Sequence, residues 1–230
     1  MKPLVICHML SSIDGRIVVT HWPDRDSMHR EYERTADSFG ADAWMCGRIT
    51  MQDFAATEDV PKPPPASPLP RTDFIAREDA ESFAIAVDAH GKLNWESGAL
   101  DEDHLVVVLT EAVPDAHLAH LRERGVSYVF GGARDIDFAR VLETLGRAFG
   151  IRTVLLEGGG GINGTLLDAG LIDEVSLLVH PTADGLPGTP TLFDRPQGAT
   201  GMGAALELTH VERRDSGIVW LRYRVRPAAR

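Results

Sequence analysis

The sequence predicts an α/β fold with a mostly parallel central sheet, and three observations support it. Residues 153–181, TVLLEGGGGINGTLLDAGLIDEVSLLVHP, have the pattern of a buried strand, four glycines, a helix and a second strand. Similar apolar strands alternate with helical patterns along most of the chain, which is typical of parallel sheets. Residues 205–213 and 218–225 alternate around Asp215-Ser216-Gly217, which predicts a closing antiparallel hairpin.

The remaining elements follow from hydrophobic period and from turn and cap residues. Residues 60–71, VPKPPPASPLPR, contain six prolines and predict an extended arm. Because the arm is an excursion rather than a linker between domains, we expect one domain over residues 1–230. Helices are expected at about residues 26–39, where Asp26 or Ser27 caps the start, and at 47–55, 115–124, 137–149 and 163–169. Strands are expected at residues 4–10, 43–46, 83–88, 104–110, 126–130, 153–157 and 174–180.

Composition limits the possible functions. The 230 residues include 23 basic and 34 acidic side chains, and the net charge of −11 opposes nonspecific attraction to nucleic acids or anionic lipids. No stretch approaches the roughly 20 apolar residues of a membrane-spanning helix, and the N-terminus lacks a secretory pattern, so we expect a soluble, cytoplasmic protein. No metal site is predicted. His117 and His120 have helical spacing without a third ligand, and we expect them to be solvated.

The glycine-rich segment is the strongest candidate for ligand binding. Gly158, Gly159, Gly160 and Gly161 follow a strand and precede a helix, so bare N–H groups and the positive helix N-terminus can meet a phosphate. A nucleotide cofactor is the natural ligand. The alternative is that the glycines form a tight connection that lets the helix pack closely.

The carboxyl ends of parallel strands gather ligand-binding loops at one edge of a sheet. We therefore expect four sequence-distant segments to converge on one crevice: Ser11–Gly15, Gly47–Thr50, Thr110 and Glu157–Gly161. Arg48 offers a planar fork of donors for a phosphate, and Thr50 offers a hydroxyl. A surface arginine and a helix cap are the equally open alternative for these two residues.

Three segments resemble the reductase domain of the bifunctional deaminase–reductases of riboflavin synthesis, whose fold is similar to dihydrofolate reductase. The segments are MLSSIDGRI at residues 9–17, ADAWMCGRITMQDF at residues 41–54 and the stretch 157–181. The glycine run followed by L-L-x-x-G-L-x-D-E is the most specific of them. The resemblance implies a dihydrofolate reductase-like fold and an NADPH-dependent reductase, similar to 5-amino-6-(5-phosphoribosylamino)uracil reductase.

The resemblance also implies site residues. In similar proteins the G-R-x-T and glycine-rich segments hold NADPH. Glu157, at the end of a buried strand, is the first candidate for substrate contact and catalysis, and Asp14 is the second, to orient substrate or support proton delivery; an Asx-type turn is the alternative for Asp14. Trp22 is a substrate-binding candidate that alternatively packs in the fold. The cofactor-binding candidates are Ser11, Gly47, Arg48, Thr50, Asp53, Thr110, Gly158, Gly159, Gly160, Gly161, Ile162, Asn163 and Thr165.

Some segments depart from this family. In that family, two basic residues of the first helix contact the sugar phosphate of the substrate. The corresponding positions in this sequence are at about Glu31 and Tyr32. Three functions therefore stay open: a reductase of a pyrimidine- or pterin-type substrate or its attached sugar, a reductase of an unrelated small carbonyl or ring compound, and a non-catalytic nucleotide-binding module. The apolar alternation of residues 205–225, with the leucines of residues 172–179, predicts a homodimer.

Overall fold

Strands and helices alternate along the chain as the hydrophobic pattern predicts. The structure is a computed structural model, and it describes residues 1–56, 63–195, 197–199 and 203–226. Its strands are β1 Leu4–Ser11, β2 Ala43–Gly47, β3 Phe83–Val87, β4 Ala99–Leu100, β5 Asp103–Thr110, β6 Ser127–Gly132, β7 Thr153–Leu156, β8 Glu174–Val179, β9 Leu206–Arg213 and β10 Val219–Val225.

The helices match the expected ones in position but not always in length. They are α1 Arg25–Asp37, α2 Arg48–Met51, α3 Asp115–Glu123, α4 Phe138–Ala148 and α5 Gly160–Asp168. The prediction of a helix to residue 55 was wrong, because α2 is a single turn. The last helix begins within the glycine run rather than at residue 163. No helix in the described part of the chain has the length and apolar character needed to cross a bilayer.

The chain divides into two compact units. The first unit comprises Met1–Pro3 and Asp42–Arg152, and the second comprises Leu4–Ala41 and Thr153–Arg230. The expectation of one domain over the whole chain stays a prediction.

The first unit contains a mostly parallel sheet. Strand β3 lies between β2 and β5 and pairs with both in parallel, and β6 adds in parallel to β5. The two-residue strand β4 pairs antiparallel with the start of β5. Strand β5 is buried over seven of its eight residues, as expected of a parallel strand covered on both faces. Tyr128 and Leu118 are among the largest buried side chains of this unit's core.

The second unit combines parallel and antiparallel pairing. Strand β1 pairs in parallel with β7 on one side and β8 on the other. Strands β8, β10 and β9 then pair antiparallel in that order, so the predicted C-terminal hairpin is confirmed. Trp22, Met28 and Trp220 pack with Leu10 and Leu178 in this unit's core. The predicted α/β class, with a mostly parallel sheet and a closing antiparallel hairpin, is confirmed.

Residues 60–62 of the proline-rich arm lie outside the described residues, and residues 63–71 form neither helix nor strand. Arg71 holds this part of the arm in place, because its guanidinium donates to the carbonyls of Glu111 and Val113 and pairs with Asp115 at 2.5 Å.

The expectation that His117 and His120 are solvated was wrong. They are only 2% and 7% exposed, and the His120 ring lies 2.9 Å from the Trp95 carbonyl.

A buried polar cluster lies between α1 and the sheet of the second unit. The Nδ1 atom of His8 is 2.9 Å from the Ser176 hydroxyl, and its ring packs against Tyr32. Trp220 donates its indole N–H to the same hydroxyl at 2.8 Å. Because His8 is fully buried, desolvation lowers the pKa of its imidazole to about 4. The folded protein therefore holds His8 neutral.

We predict that this neutral histidine makes stability fall with acidification. The unfolded chain binds a proton near the ordinary histidine pKa of about 6.5, whereas the folded chain binds it only near pH 4, so stability is lost as pH falls through this interval. The loss attributable to His8 is about 3 kcal/mol. Urea unfolding at several pH values measures it. His8→Gln should flatten the slope and the exposed control His29→Gln should retain it; equal slopes for wild type and His8→Gln would contradict the assignment.

Candidate active site

The glycine segment lies in the second unit, at the carboxyl end of β7. Strand β7 ends at Leu156, and Glu157 and the glycines follow it directly. The peptide bond between Gly158 and Gly159 is cis. Gly159 is the N-cap residue of α5 and, as a glycine, has no side chain with which to cap the helix. The main-chain N–H groups of the first turn of α5 are therefore the donors that the segment offers to a ligand.

Two of the glycines let another segment approach the helix. A side-chain carbon at Gly160 would lie 2.1 Å from the Thr191 carbonyl oxygen, and one at Gly164 would lie 2.2 Å from that of Asp194. The Asp194 N–H donates to the Gly160 carbonyl at 3.0 Å. We call residues 182–195 the strap segment. The close-packing alternative therefore holds for Gly160 and Gly164, although the strap segment rather than the sheet occupies the space.

Gly161 has the opposite environment. A side-chain carbon there would meet no atom within 4 Å among the described residues, and the residue is exposed. Gly158 has φ +91°, a conformation that favours glycine, and a side-chain carbon there would lie 2.9 Å from Met9 Cε. The glycine run thus has an open side at Gly161 and a packed side at Gly160.

The other α5 candidates are oriented by their own hydrogen bonds. Asn163 is fully buried, and its Nδ2 donates to the Leu192 carbonyl at 3.0 Å. The Thr165 hydroxyl donates to the Gly161 carbonyl at 2.8 Å within the helix. Ile162 is half-buried. The side chain of Asn163 is therefore directed into the protein, toward the strap segment.

Asp14 lies in the turn after β1 and joins it to the strap segment. Its Oδ1 accepts from the Ser12 hydroxyl at 2.6 Å and from the Asp184 N–H at 3.0 Å, and its Oδ2 accepts from the Gly185 N–H at 2.9 Å. The Ser12 hydrogen bond, followed by the two main-chain donors, holds the pKa of the Asp14 carboxyl well below its usual range. The carboxylate is therefore ionised and suited to orienting groups rather than to giving up a proton.

Ser11, Trp22 and His180 lie close to the same turn but are buried. The Ser11 carbonyl accepts from the His180 N–H at 2.8 Å, and Ser11 is 2% exposed. Trp22 is 4% exposed, stacks on the His180 ring at 5.9 Å and donates its indole N–H to Asp184 at 2.8 Å. Burial lowers the pKa of His180, against the opposing influence of Asp24. Trp22 thus packs in the fold, and its part in substrate binding stays a prediction.

Glu157 lies at the end of a buried strand, as the sequence predicts. It is half-buried and immediately precedes Gly158, at the carboxyl end of a strand whose last three residues are buried. Met9, which packs against Gly158, comes from the adjacent strand β1. The carboxylate therefore lies at the strand end from which the glycine segment begins.

The candidates of the first unit lie at the ends of β2 and β5. Gly47 has extended backbone and precedes the short helix α2, which Arg48 begins. Within the described residues, the Arg48 side chain has no hydrogen bond or ion pair. Thr110 is fully buried and donates its hydroxyl to the Ala89 carbonyl at 2.7 Å, so its side chain serves the fold. Thr50 is half-buried and Asp53 is exposed. The predicted convergence of these residues with those of the second unit stays a prediction.

A family model described as the RibD C-terminal domain matches residues 3–220. The chain belongs to this family. The predicted family and its dihydrofolate reductase-like fold are thereby confirmed.

Individual relatives of this RibD-type chain agree with that membership. A 2,5-diamino-6-ribosylamino-4(3H)-pyrimidinone 5′-phosphate reductase of Methanothermobacter thermautotrophicus is 29% identical over 210 residues, which are 90% of this chain and 91% of the relative. A pyrimidine reductase-like protein of Corynebacterium diphtheriae has a similar fold, with a TM-score of 0.73 at 17% identity over 98% of this chain and 92% of the other. RibD of Acinetobacter baumannii gives 0.67 at 19% identity, with 98% of this chain matching 58% of that protein.

The predicted oxidoreductase class is confirmed at the level of the family, because its named relatives are reductases. A nicotinamide cofactor follows from the same membership. Sequence reasoning missed one residue, Asp184, that holds the loop beside the turn after β1. Its carboxylate accepts from both Trp22 and His21 at 2.8 Å. No local signal identifies it, since a single aspartate in a Gly- and Pro-rich loop has the pattern of a turn residue.

The two positions that depart from the RibD pattern have internal partners. Glu31 is only 2% exposed, and its carboxylate forms ion pairs with Arg34 at 2.8 Å and with Arg214 at 2.7 Å. The Tyr32 hydroxyl donates to the His8 carbonyl at 3.1 Å. Both side chains are thus used inside the second unit, and any recognition of a sugar phosphate must come from other residues.

We predict opposite effects of alanine at two glycines of α5. Gly164→Ala should lower the free energy of unfolding by about 1–3 kcal/mol, because the methyl group would overlap the Asp194 carbonyl. Gly161→Ala should leave it unchanged or raise it by up to about 1 kcal/mol, since the methyl group meets open space in a helix. Urea unfolding of the two variants measures both. Equal losses at the two positions would show that the distinction between packed and open glycines is wrong.

Proposed function

We propose that the protein is an NADPH-dependent reductase that transfers hydride to a ribosylamino-pyrimidine phosphate, or to the attached sugar of a closely similar heterocycle. The main support is the glycine segment at the end of β7, whose first helical turn is open at Gly161 among the described residues. The chain that contains it matches the RibD C-terminal domain over residues 3–220. The name of the relative from Methanothermobacter supports the substrate class.

The residues of the second unit fit the phosphates of such a cofactor. NADPH supplies the hydride, and the protein must bind and orient it. Gly158, Gly159 and Gly161 present main-chain N–H groups at the start of a nine-residue helix, where negative charge is stabilised. Among the described residues, no atom lies within 4 Å of a side-chain carbon at Gly161, and a phosphate requires such space. Gly160 and Asn163 serve this site indirectly, because both are occupied by the strap segment.

In the first unit, Arg48 is the main candidate for a cofactor phosphate. Arg48 is half-buried as a residue, and within the part of the chain that the structure describes its guanidinium has no carboxylate partner. A cation in this state gains from a bidentate phosphate contact. Gly47, Thr50 and Asp53 are proposed as neighbouring contacts. Thr110 supports the loop through Ala89 instead.

Glu157 and Asp14 take different parts in the proposed reaction. Glu157, half-buried at the strand end before the glycines, is proposed to hold a polar group of the substrate. Asp14 stays ionised because Ser12 and two main-chain N–H groups stabilise its carboxylate. It is therefore proposed to orient the substrate from the turn at residues 12–16 rather than to deliver a proton. Trp22 contributes by packing on His180.

The second candidate, a reductase of an unrelated small carbonyl or ring compound, rests on Glu31 and Tyr32. These residues stand at the positions expected for phosphate-binding basic residues and are engaged internally. A non-catalytic nucleotide-binding module is the third. Turnover separates them: NADPH oxidation with the ribosylamino-pyrimidine phosphate supports the first, oxidation only with other carbonyls supports the second, and binding without oxidation supports the third. A cytoplasmic location stays a prediction.

We predict that Arg48→Gln weakens NADPH binding by about tenfold to a hundredfold, as loss of a charge-assisted hydrogen bond would. NADH binding should change much less if Arg48 contacts the phosphate that distinguishes the two cofactors. Fluorescence titration with both nucleotides measures the affinities, and Arg147→Gln, at an exposed position of α4, is the control. Unchanged NADPH affinity in Arg48→Gln would remove Arg48 from the site, and no binding of either nucleotide to the wild type would refute the proposed function.

We further propose a homodimer formed by one face of the sheet β8–β10–β9. Val211 pairs with Leu221, Leu208 with Tyr223, and Leu206 with Val225, so these side chains share a face. Leu206, Leu208 and Val211 are 42%, 53% and 60% exposed. The charged residues Glu207, Glu212, Arg222 and Arg224 alternate to the opposite face. Arg213, which pairs with Val219, lies at the end of the apolar face. Since a net charge of −11 repels a second copy elsewhere, this mostly apolar face favours self-association.

We predict that Leu208→Asp converts the dimer to a monomer, because the carboxylate would be buried without a partner in the interface. Light scattering coupled to gel filtration gives the mass. Ile13→Asp places the same change at another exposed apolar residue and should leave the dimer intact. A wild-type monomer at micromolar concentration, or a dimer that survives Leu208→Asp, would contradict this interface.

A further inference from the structure

The main chain of Leu192 connects the turn after β1 to helix α5. Its N–H donates to the Gly15 carbonyl at 3.3 Å, and its carbonyl accepts from Asn163 Nδ2 at 3.0 Å. Gly15 belongs to the turn that carries Asp14, and Asn163 belongs to the helix that begins in the glycine run. A single residue of the strap segment thus touches both groups of candidate site residues in the second unit.

Among the described residues, the hydrogen bond to the Leu192 carbonyl is the one that the Asn163 side chain makes. Asn163 is 0% exposed, and it lies between Gly160 and Gly164, the two glycines at which the strap segment approaches the helix most closely. Without Asn163, the strap segment would retain the Asp194 N–H to Gly160 contact and the ion pair of Arg195 with Asp168 at its far end. The Leu192 carbonyl would then lose its donor.

The strap segment in turn holds the turn after β1 at several points. Asp14 accepts from the N–H groups of Asp184 and Gly185, and Arg16 donates to the Thr189 carbonyl at 2.7 Å. Arg16 and Thr191 also form an isolated antiparallel bridge. The position of the turn therefore depends on the strap segment, and the position of the strap segment depends on α5.

We propose that Asn163 is a positioning residue: by holding the Leu192 carbonyl it sets the turn of residues 12–16 relative to the glycine segment, without contacting the cofactor. This inference rests on the proposed function, since the turn carries Asp14 and the glycine segment is the proposed cofactor site. It replaces the sequence-based expectation that Asn163 binds the cofactor. A misplacement of about 1 Å costs roughly a hundredfold in rate when geometry controls the reaction.

The test compares Asn163→Ala and Asn163→Leu, which both remove the donor, while only the first leaves a cavity. Both should lower kcat with the ribosylamino-pyrimidine phosphate by about tenfold to a hundredfold and leave the NADPH dissociation constant unchanged. Amide hydrogen exchange should increase at Leu192 and at residues 12–16 in both. Leu186→Ala, an exposed strap-segment residue, is the control that should match wild type in all three measurements.

Two results would overturn the proposal: weaker NADPH binding without faster exchange at residues 12–16, which would make Asn163 a cofactor contact, or wild-type exchange and kcat in both variants. If the Asn163 variants do not fold, Gly164→Ala displaces the strap segment from the other side and should give the same exchange pattern. If the wild type reduces no candidate substrate, the proposed function fails, whereas exchange and NADPH titration still decide the role of Asn163.

Discussion

The close approach of the strap segment to helix α5 is the contact on which the organisation of the second unit's site depends. It is possible only because Gly160 and Gly164 present bare backbone, where a side-chain carbon would lie within about 2 Å of a carbonyl oxygen. A helix this poor in side chains has little propensity of its own and is stabilised by tertiary contacts. Asn163 adds a buried hydrogen bond between these two contact points.

This contact gives the four-glycine run two functions on two sides of one helical turn. Gly160 packs against the strap segment, while Gly161 faces open space and leaves its main chain accessible to a ligand. The strap segment carries the constraint onward to Asp14 and Arg16. The proposed cofactor site and the turn at the end of β1 are therefore parts of one hydrogen-bonded arrangement, in which Asp184 also fixes Trp22.

The sequence predicted the strands and the C-terminal hairpin well, because their patterns are local: apolar runs, period-two alternation and turn residues suffice to find them. It could not tell Gly160 from Gly161, since the segment that distinguishes them is about thirty residues away in the chain. Likewise, His117 and His120 have the pattern of an exposed helix face, and only tertiary packing near Gly91 and Trp95 buries them. The short α2 and the packing role of Trp22 also depend on tertiary contacts.

The most direct test of the two-sided glycine run is a crystal structure of the protein with NADP⁺ bound. We expect a cofactor phosphate to lie against the main-chain N–H of Gly161, with the strap segment still seated at Gly160 and Gly164 and Asn163 still bonded to Leu192. A phosphate in the space of the strap segment, with residues 191–194 displaced from α5, would contradict the account.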